Sequence, residues 1–404
     1  MAKYAKVLVA VVLTGLLGLF LARHFAEIKE SVVARDSLAY WAAGRLLIER
    51  QNPYGQGAVL QLERQSGYAE QRPLLLRTPP WSLFMVTPLG FLNAFWSWLL
   101  WMAVTLGCLL LGMRLCRRLY AGEGIPENLL SIVGYTFAPV PACLISGQMG
   151  LVLMLGLVLF LWWEAERPFL AGAALILPFA KPHLLVLFWF ALFFWVILRR
   201  KLAVAGGFLL AFATVVVIPL LLDASVFRHY REMLYTAAMQ REFIPALSGV
   251  IRLIFFRQAF WVQFIPMAAG LFWGAWFFFR RRRDWSWSQH GPALLVVSVL
   301  TTPYAWLGDE SVLLPAMLQA AAFGYQSRNN LKIRTKIALV IFGLLNLLLL
   351  LILRSRIPFA TGIYFWSSLV WFFFYFHARS LRRQRPGSES EHQTMNSGAY
   401  GGVV

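Results

Sequence analysis

Residues 199–222 read RRKLAVAGGFLLAFATVVVIPLLL: three basic side chains, then an uncharged run from Leu202 to Leu222. A helix needs about 20 mostly apolar residues to cross roughly 30 Å of hydrocarbon, and this run is long enough. Its apolar residues are continuous and do not alternate with polar ones, so it reads as a helix and not as a strand of a barrel. Similar runs recur from end to end. Of the 404 residues, 59% are hydrophobic and only 14% charged. Mean hydropathy is +0.64, outside the range of soluble globular proteins of this size. The fold class expected is an all-α polytopic membrane protein.

Working outward from 202–222, further spans are expected at approximately 95–115, 128–146, 149–163, 168–180, 182–198, 259–279, 290–307, 309–325, 333–353 and 359–377. Val7–Ala22 follows Lys3 and Lys6 and offers no cleavage site at Ala22-Arg23-His24-Phe25-Ala26, so it reads as an uncleaved signal anchor with its N-terminus in the cytoplasm. The total is about 11–13 transmembrane helices. Residues 23–80 form a long first outer loop of mixed polarity, expected to carry amphipathic helices. It has helical spacing around Leu38, Ala42, Leu46 and Leu47, and breakers at Asn52-Pro53 and Thr78-Pro79-Pro80. Trp81–Leu92, interrupted at Pro88, is too short to span cleanly and is expected to lie in the interface or to re-enter. From Pro386 the Ser- and Gly-rich tail, 386–404, reads as disordered cytoplasm. Residues 1–385 remain as one integral membrane domain, with no internal repeat.

The net charge is +19, but Lys and Arg come in short clusters at the ends of apolar runs, as cytoplasmic anchors do. No basic face or reader motif accompanies them, which excludes nucleic acid as a partner. Alternation from a cytoplasmic N-terminus puts Arg199-Arg200-Lys201, Arg280–Arg283, Arg328 with Lys332, Arg334 and Lys336, and Arg379 with Arg382, Arg383 and Arg385 all inside. The short outer turns carry only Lys181, Arg354 and Arg356. Cys108, Cys116 and Cys143 lie in or at the ends of expected spans without metal-ligand spacing and read as core residues.

The same alternation collects the polar interruptions on the outer side: Asp36 with Arg35 and Tyr40, then Ser146-Gly147-Gln148, Lys181-Pro182-His183, and Tyr304, Trp306, Asp309 and Glu310. Ionisable groups at membrane depth cost several kcal/mol unless they face a partner or a cavity, so a set at one level implies an outward-opening cavity. Each residue also has a plainer reading. Asp36 could be the N-cap of an amphipathic helix; Gln148 could pair across helices, and Lys181 could snorkel at a span boundary. Lys181 with His183 is a natural partner for a phosphate anion. Asp309 and Glu310 are adjacent with no third ligand at helical spacing, so no metal is assigned and a solvated turn is the expectation. Walker-type loops, GxGxxG, HExxH and GxSxG are missing, and no cofactor is expected.

In their order these motifs resemble the polytopic glycosyltransferases of family 87, which include polyprenyl-phosphate-mannose-dependent α-mannosyltransferases of GT-C architecture. The resemblance rests on Asp36-Ser37-Leu38-Ala39-Tyr40-Trp41-Ala42-Ala43 with Asn52-Pro53-Tyr54, then Thr78-Pro79-Pro80 with Pro88-Leu89 and Trp101. It continues through Ser146-Gly147-Gln148, Lys181-Pro182, and Thr302-Pro303-Tyr304-Ala305-Trp306 leading to Leu313-Leu314-Pro315.

The resemblance implies a GT-C-like bundle and an inverting hexose transfer, with mannose the expected sugar, from a polyprenyl-phosphate donor to a lipid or glycan acceptor. Asp36 would be the general base. Lys181, with His183, would stabilise the leaving phosphate, and Arg77 and Arg35 are alternatives. Tyr40, Tyr54, Tyr304 and Trp306 would present faces and hydroxyls to sugar, with Asn52, Gln148, Asp309 and Glu310 completing the substrate-binding wall. One departure stands out: many relatives carry histidines after the late Trp, where this chain reads Leu307-Gly308-Asp309-Glu310. The rival reading, a transporter or flippase of lipid-linked sugars, would predict symmetry between halves, and the long first loop has no counterpart. The expected location is a cell membrane, in the manner of a bacterial inner membrane, with the site facing the periplasm or exterior.

Overall fold

The computed structural model describes residues 35–122, 124–236, 244–355 and 363–383. The expected signal anchor Val7–Ala22 and the tail from Pro386 lie outside these residues. The chain forms two compact units, residues 1–103 with 215–237 and residues 104–214 with 238–404.

The first unit is built on α1 (Asp36–Ile48) and α2 (Gln56–Gln65). Leu38, Ala42, Leu46 and Leu47 are buried, as their spacing predicts, but so are Ser37, Ala39, Tyr40, Trp41, Ala43 and Gly44. Helix α1 is therefore enclosed and not one-sided. Its close neighbour is the stretch Pro80–Phe91, which is neither a span nor a regular helix but a 3-10 turn, a single α turn (Leu83–Val86) and a second 3-10 turn. Pro80 and Pro88 each remove an amide donor and start these turns. Gly44 and Gly90 bring the two backbones into direct contact: a Cβ on Gly90 would overlap the Gly44 backbone, and one on Gly44 would overlap the Val86 carbonyl oxygen and crowd the Gly90 nitrogen. Trp41 Nε1 donates to the Leu92 carbonyl at 2.9 Å, which locks the register of the pair.

Helix α2 packs on α1 through Val59 and Leu62, and under it lies a buried carboxyl group, Glu63, which accepts the Leu74 amide at 3.1 Å on both oxygens. Burial pushes Glu63 up to about 7, with the Leu74 hydrogen bond acting the other way.

The second unit begins within α3 (Ala94–Tyr120). Then come α4 (Glu127–Thr136), α5 (Pro139–Ser146), α6 (Gly150–Trp163), α7 (Pro168–Ala174), α8 (Val186–Leu198) and α9 (Leu202–Leu222), which carries the chain back into the first unit and α10 (Val226–Thr236). The second unit resumes with α11 (Leu247–Phe255), α12 (Ile265–Arg281), α13 (Trp287–Thr301), α14 (Leu314–Gln326), α15 (Ile333–Arg354) and α16 (Ser367–Arg383).

The fold is all-α and polytopic, as expected, and among the described residues the candidate spans are fewer and more broken than the apolar runs of the sequence. Among the described residues four segments are long and apolar enough to cross a membrane: Ala94–Tyr120, Leu202–Leu222, Phe260–Asp284 and Thr335–Arg354. Two bent pairs raise this to six: 128–136 with 139–146, bent by 49°, and 168–180 with 182–198, bent by 115°. The pieces expected as separate spans at 168–180 and 182–198 are thus two arms of one bend. Prolines at 139, 168, 178 and 182 account for the breaks. Helices α6, α13 and α14 are short and largely buried, as interior packing elements.

Helices α8 and α13 give the second unit its two ends. Arg199, just after α8, donates from its guanidinium to the carbonyls of Arg282 and Arg283, just before α13. Two of the basic clusters therefore meet. At the other end of the same helices the Thr302 hydroxyl donates to the His183 carbonyl at 3.0 Å, about 20 Å away for a helix of this length.

Two outcomes follow from the first unit. Gly44→Ala should lower the thermal midpoint of the detergent-purified protein, by the equivalent of about 1–3 kcal/mol for an overpacked contact, whereas Gly57→Ala, on an open stretch of α2, should not lower it. Because folding raises the Glu63 carboxyl above its ordinary value, its contribution to stability is fully present at low pH and is lost as pH rises from about 4.5 to about 7. Melting of the wild type over that window should therefore show a downward component that Glu63→Gln lacks.

Candidate active site

In the first unit the N-terminus of α1 presents Arg35 and Asp36, both half-buried. Arg35, not Asp36, occupies the N-cap, and it makes no side-chain cap bond. Asp36 lies one residue further, in the first turn of α1. The Arg35 guanidinium stands 5.7 Å from the Trp98 ring centre.

The other expected residues here are tied into the structure. Tyr40 is buried, with its ring edge-on to Trp101 at 5.2 Å. Asn52 Oδ1 accepts the Tyr54 amide at 2.9 Å, closing the turn before α2. Tyr54 is buried against Tyr230 and its hydroxyl donates to the Thr78 carbonyl at 3.0 Å. Arg77 is half-buried, immediately before Thr78.

In the second unit a proline decides the geometry. Pro182 cannot donate an amide hydrogen and forces the preceding residue out of the helical region; Lys181 has φ −130° and ψ 69°. Lys181 therefore sits at the apex of the 115° bend, and its Nζ lies 2.6 Å from Asp309 Oδ1. Lys181 retains 11% side-chain exposure and Asp309 none.

Asp309 is delivered by a second proline break. Pro303 ends α13 by holding Thr302 extended, and the chain then runs without helix to the 3-10 turn Asp309–Leu313. Asp309 Oδ2 accepts the Trp306 amide at 3.1 Å. The Trp306 indole donates to the Tyr304 hydroxyl at 2.8 Å, and the Tyr304 ring meets His183 edge-on at 5.8 Å. Lys181, His183, Tyr304, Trp306 and Asp309 thus form one cluster. His183, Tyr304 and Trp306 are its half-exposed members.

Asp309 and Glu310 are not a solvated turn: both are buried. Nor do they act together. Glu310 turns to α16, where Ser367 Oγ donates to one oxygen at 2.7 Å and Trp371 Nε1 to the other at 2.8 Å. Two uncompensated carboxylates would be costly to bury, and each instead has its own donors. Among the described residues no three His, Cys, Asp or Glu side chains gather as a metal would need.

Gln148 enters from the start of α6. Gly147, with φ +70°, ends α5 in the left-handed conformation that a glycine adopts without strain. Gln148 is buried, its Oε1 has no hydrogen-bond partner among the described residues, and it faces Gly308, where any side chain would overlap it. His183 Nε2 and Ser311 Oγ are likewise buried without partners. Buried polar atoms left unpaired are rare, and several at one end of one unit suit a polar ligand or ordered water.

Sequence reasoning missed the support of this cluster: Ser248, whose hydroxyl donates to the Thr302 carbonyl at 2.8 Å, Gln263, which donates to the Pro303 carbonyl, and Ser367 and Trp371 on Glu310. The signal was present for Gln263 and Ser367, each a polar residue within a run otherwise read as a span.

The family model for glycosyltransferase family 87 matches residues 78–303. That stretch contains Gln148, Lys181 and His183, and ends just before Tyr304. No curated protein and no solved structure matches the chain. The matched stretch is more than half of the 404 residues and its apolar helices are those of a membrane protein: the chain belongs to glycosyltransferase family 87, and so is a glycosyltransferase with a sugar donor and an acceptor as substrates.

Proposed function

We propose that this protein transfers a hexose, mannose in the first instance, from a polyprenyl-phosphate donor to a lipid or glycan acceptor at the outer face of a bacterial cytoplasmic membrane. Residues 1–385 would act as one GT-C-type catalytic domain, with 386–404 as its cytoplasmic tail. The observation that carries the reading is the buried Lys181–Asp309 pair beside half-exposed Tyr304 and Trp306, in a chain of a glycosyltransferase family.

Asp36 is the general base. It takes the proton of the acceptor hydroxyl as that oxygen bonds to the anomeric carbon. The bond from that carbon to the donor phosphate oxygen breaks on the opposite face, with inversion, and its electron pair leaves with the phosphate. Lys181 offers the leaving phosphate its charge, so no proton is needed there, and Asp309 fixes the ammonium beforehand. His183, Arg77 and Arg35 are auxiliary donors to the phosphate.

Tyr304 and Trp306 present ring faces to sugar. Tyr40, Asn52 and Tyr54, already bonded or packed within the protein, shape the wall of the acceptor region. Gln148 contributes its unpaired oxygen to a sugar hydroxyl. Glu310 acts by holding the Asp309 turn to α16.

The test is transfer of labelled sugar from a panel of polyprenyl-phosphate donors to total membrane lipid or glycan. Asp36→Asn should reduce turnover by about 10²- to 10⁴-fold while the protein remains folded; equal activity would remove Asp36 from the mechanism.

Lys181→Met alone leaves a buried, unpaired carboxylate and should cost about 3–5 kcal/mol of stability. The double variant Lys181→Met/Asp309→Leu should regain most of that stability and stay inactive. Activity in the double variant would show that the pair is structural only.

A further inference from the structure

The basic end of the second unit has a cleft of its own, remote from Lys181. Helix α12 lines it with Trp273, Trp276, Phe277 and Arg281, and α16 with Phe376 and Arg379. Arg281 stands 4.3 Å from the centre of the Phe277 ring and Arg379 stands 5.3 Å from the same centre. Two guanidiniums from different helices are thus gathered on one aromatic ring. Arg379 is steadied by a 3.3 Å hydrogen bond to the Tyr375 hydroxyl. Both guanidiniums line the same cleft, and arginine side chains that share a cleft are natural hydrogen-bond donors to a phosphate or similar anion.

The cleft holds about 230 Å³, less than the roughly 300–1,000 Å³ of pockets that enclose a whole drug-sized ligand. It fits one end of a ligand whose remainder lies outside. The surface leading away from it is apolar: Phe272 is 79% exposed, Trp276 53% and Phe373 58%. Helix α12 belongs to a segment long and apolar enough to cross a membrane, and its arginines are at the end of that segment, where Trp and Arg side chains meet headgroups.

We propose that this cleft binds the headgroup of an anionic phospholipid, with the phosphodiester between Arg281 and Arg379 and the acyl chains along Phe272, Trp276 and Phe373. A free phosphate would satisfy the arginines but leave the apolar track uncovered. The site is separate from the donor-phosphate cluster and does not depend on the reaction assigned to that cluster.

The experiment is native mass spectrometry of the delipidated, detergent-purified full chain, titrated with dioleoylphosphatidylglycerol or dioleoylphosphatidylcholine. Wild type should prefer the anionic lipid. That preference should fall roughly 5-fold for Arg281→Gln or Arg379→Gln and about 25-fold for the two together. Trp276→Ala should weaken both lipids.

An unchanged preference in the double variant would overturn the proposal, as would equal binding of the two lipids by wild type. Displacement of the lipid by an equal concentration of inorganic phosphate would assign the site to the free anion instead. Should the double variant not survive purification, the wild type titrated at rising ammonium acetate concentration takes its place, and a preference indifferent to salt rejects the arginine clamp.

Discussion

Inside a membrane there is no water to satisfy a backbone amide or carbonyl, and a chain that breaks its helices there must supply other partners. This constraint organises the second unit. At the bend between α4 and α5, Asn346 of α15 accepts the Ala138 amide at 2.9 Å and donates to the Thr136 carbonyl at 2.8 Å. At the start of α8 the Leu187 amide finds Ser298 Oγ at 3.0 Å. Beyond α13, Ser248 and Gln263 take the Thr302 and Pro303 carbonyls, and Asp309 takes the Trp306 amide. Each bond contributes about 1 kcal/mol net, but leaving its buried partner unmade costs about 1–3 kcal/mol, so the side chains and the breaks stand or fall together.

The Lys181–Asp309 pair is the charged member of this set. It joins residues 128 positions apart in sequence, so it fixes the apex of one proline bend against the turn that follows another. Replacing a buried ion pair by apolar residues is often neutral or stabilising; a pair that is kept in such a place suits chemistry better than stability. Glu310, next in the chain, shows the contrast. Its two donors, Ser367 and Trp371, are neutral and both come from α16.

Much of this was legible in the sequence, for physical reasons that differ by residue. The uncharged run Leu202–Leu222 declared a membrane helix because length and hydropathy suffice for that inference. Lys181-Pro182 and Thr302-Pro303 declared breaks because proline acts locally. The span count was less readable: hydropathy measures how apolar a segment is, not whether it continues straight, and 168–198 contains the apolar content of two spans in one bent pair. Asp309 and Glu310 were misread as a solvated turn because their partners, Lys181, Ser367 and Trp371, are distant in sequence, and only the fold brings a donor to each carboxylate. Tyr54 reads as a sugar-facing hydroxyl until the Thr78 carbonyl is found against it.

The bend at Lys181 also concerns depth. Drawn out as one straight α-helix, residues 168–198 would reach about 46 Å at 1.5 Å per residue, half as long again as the hydrocarbon they would have to cross. A segment of that length could be accommodated only by steep tilt or by a thickened bilayer. Folding it through 115° removes the excess length and leaves the lysine at a level set by the two arms rather than by the reach of its own side chain. The anchoring point of the charge is therefore a property of the backbone, carried by the two arms that meet at Pro182.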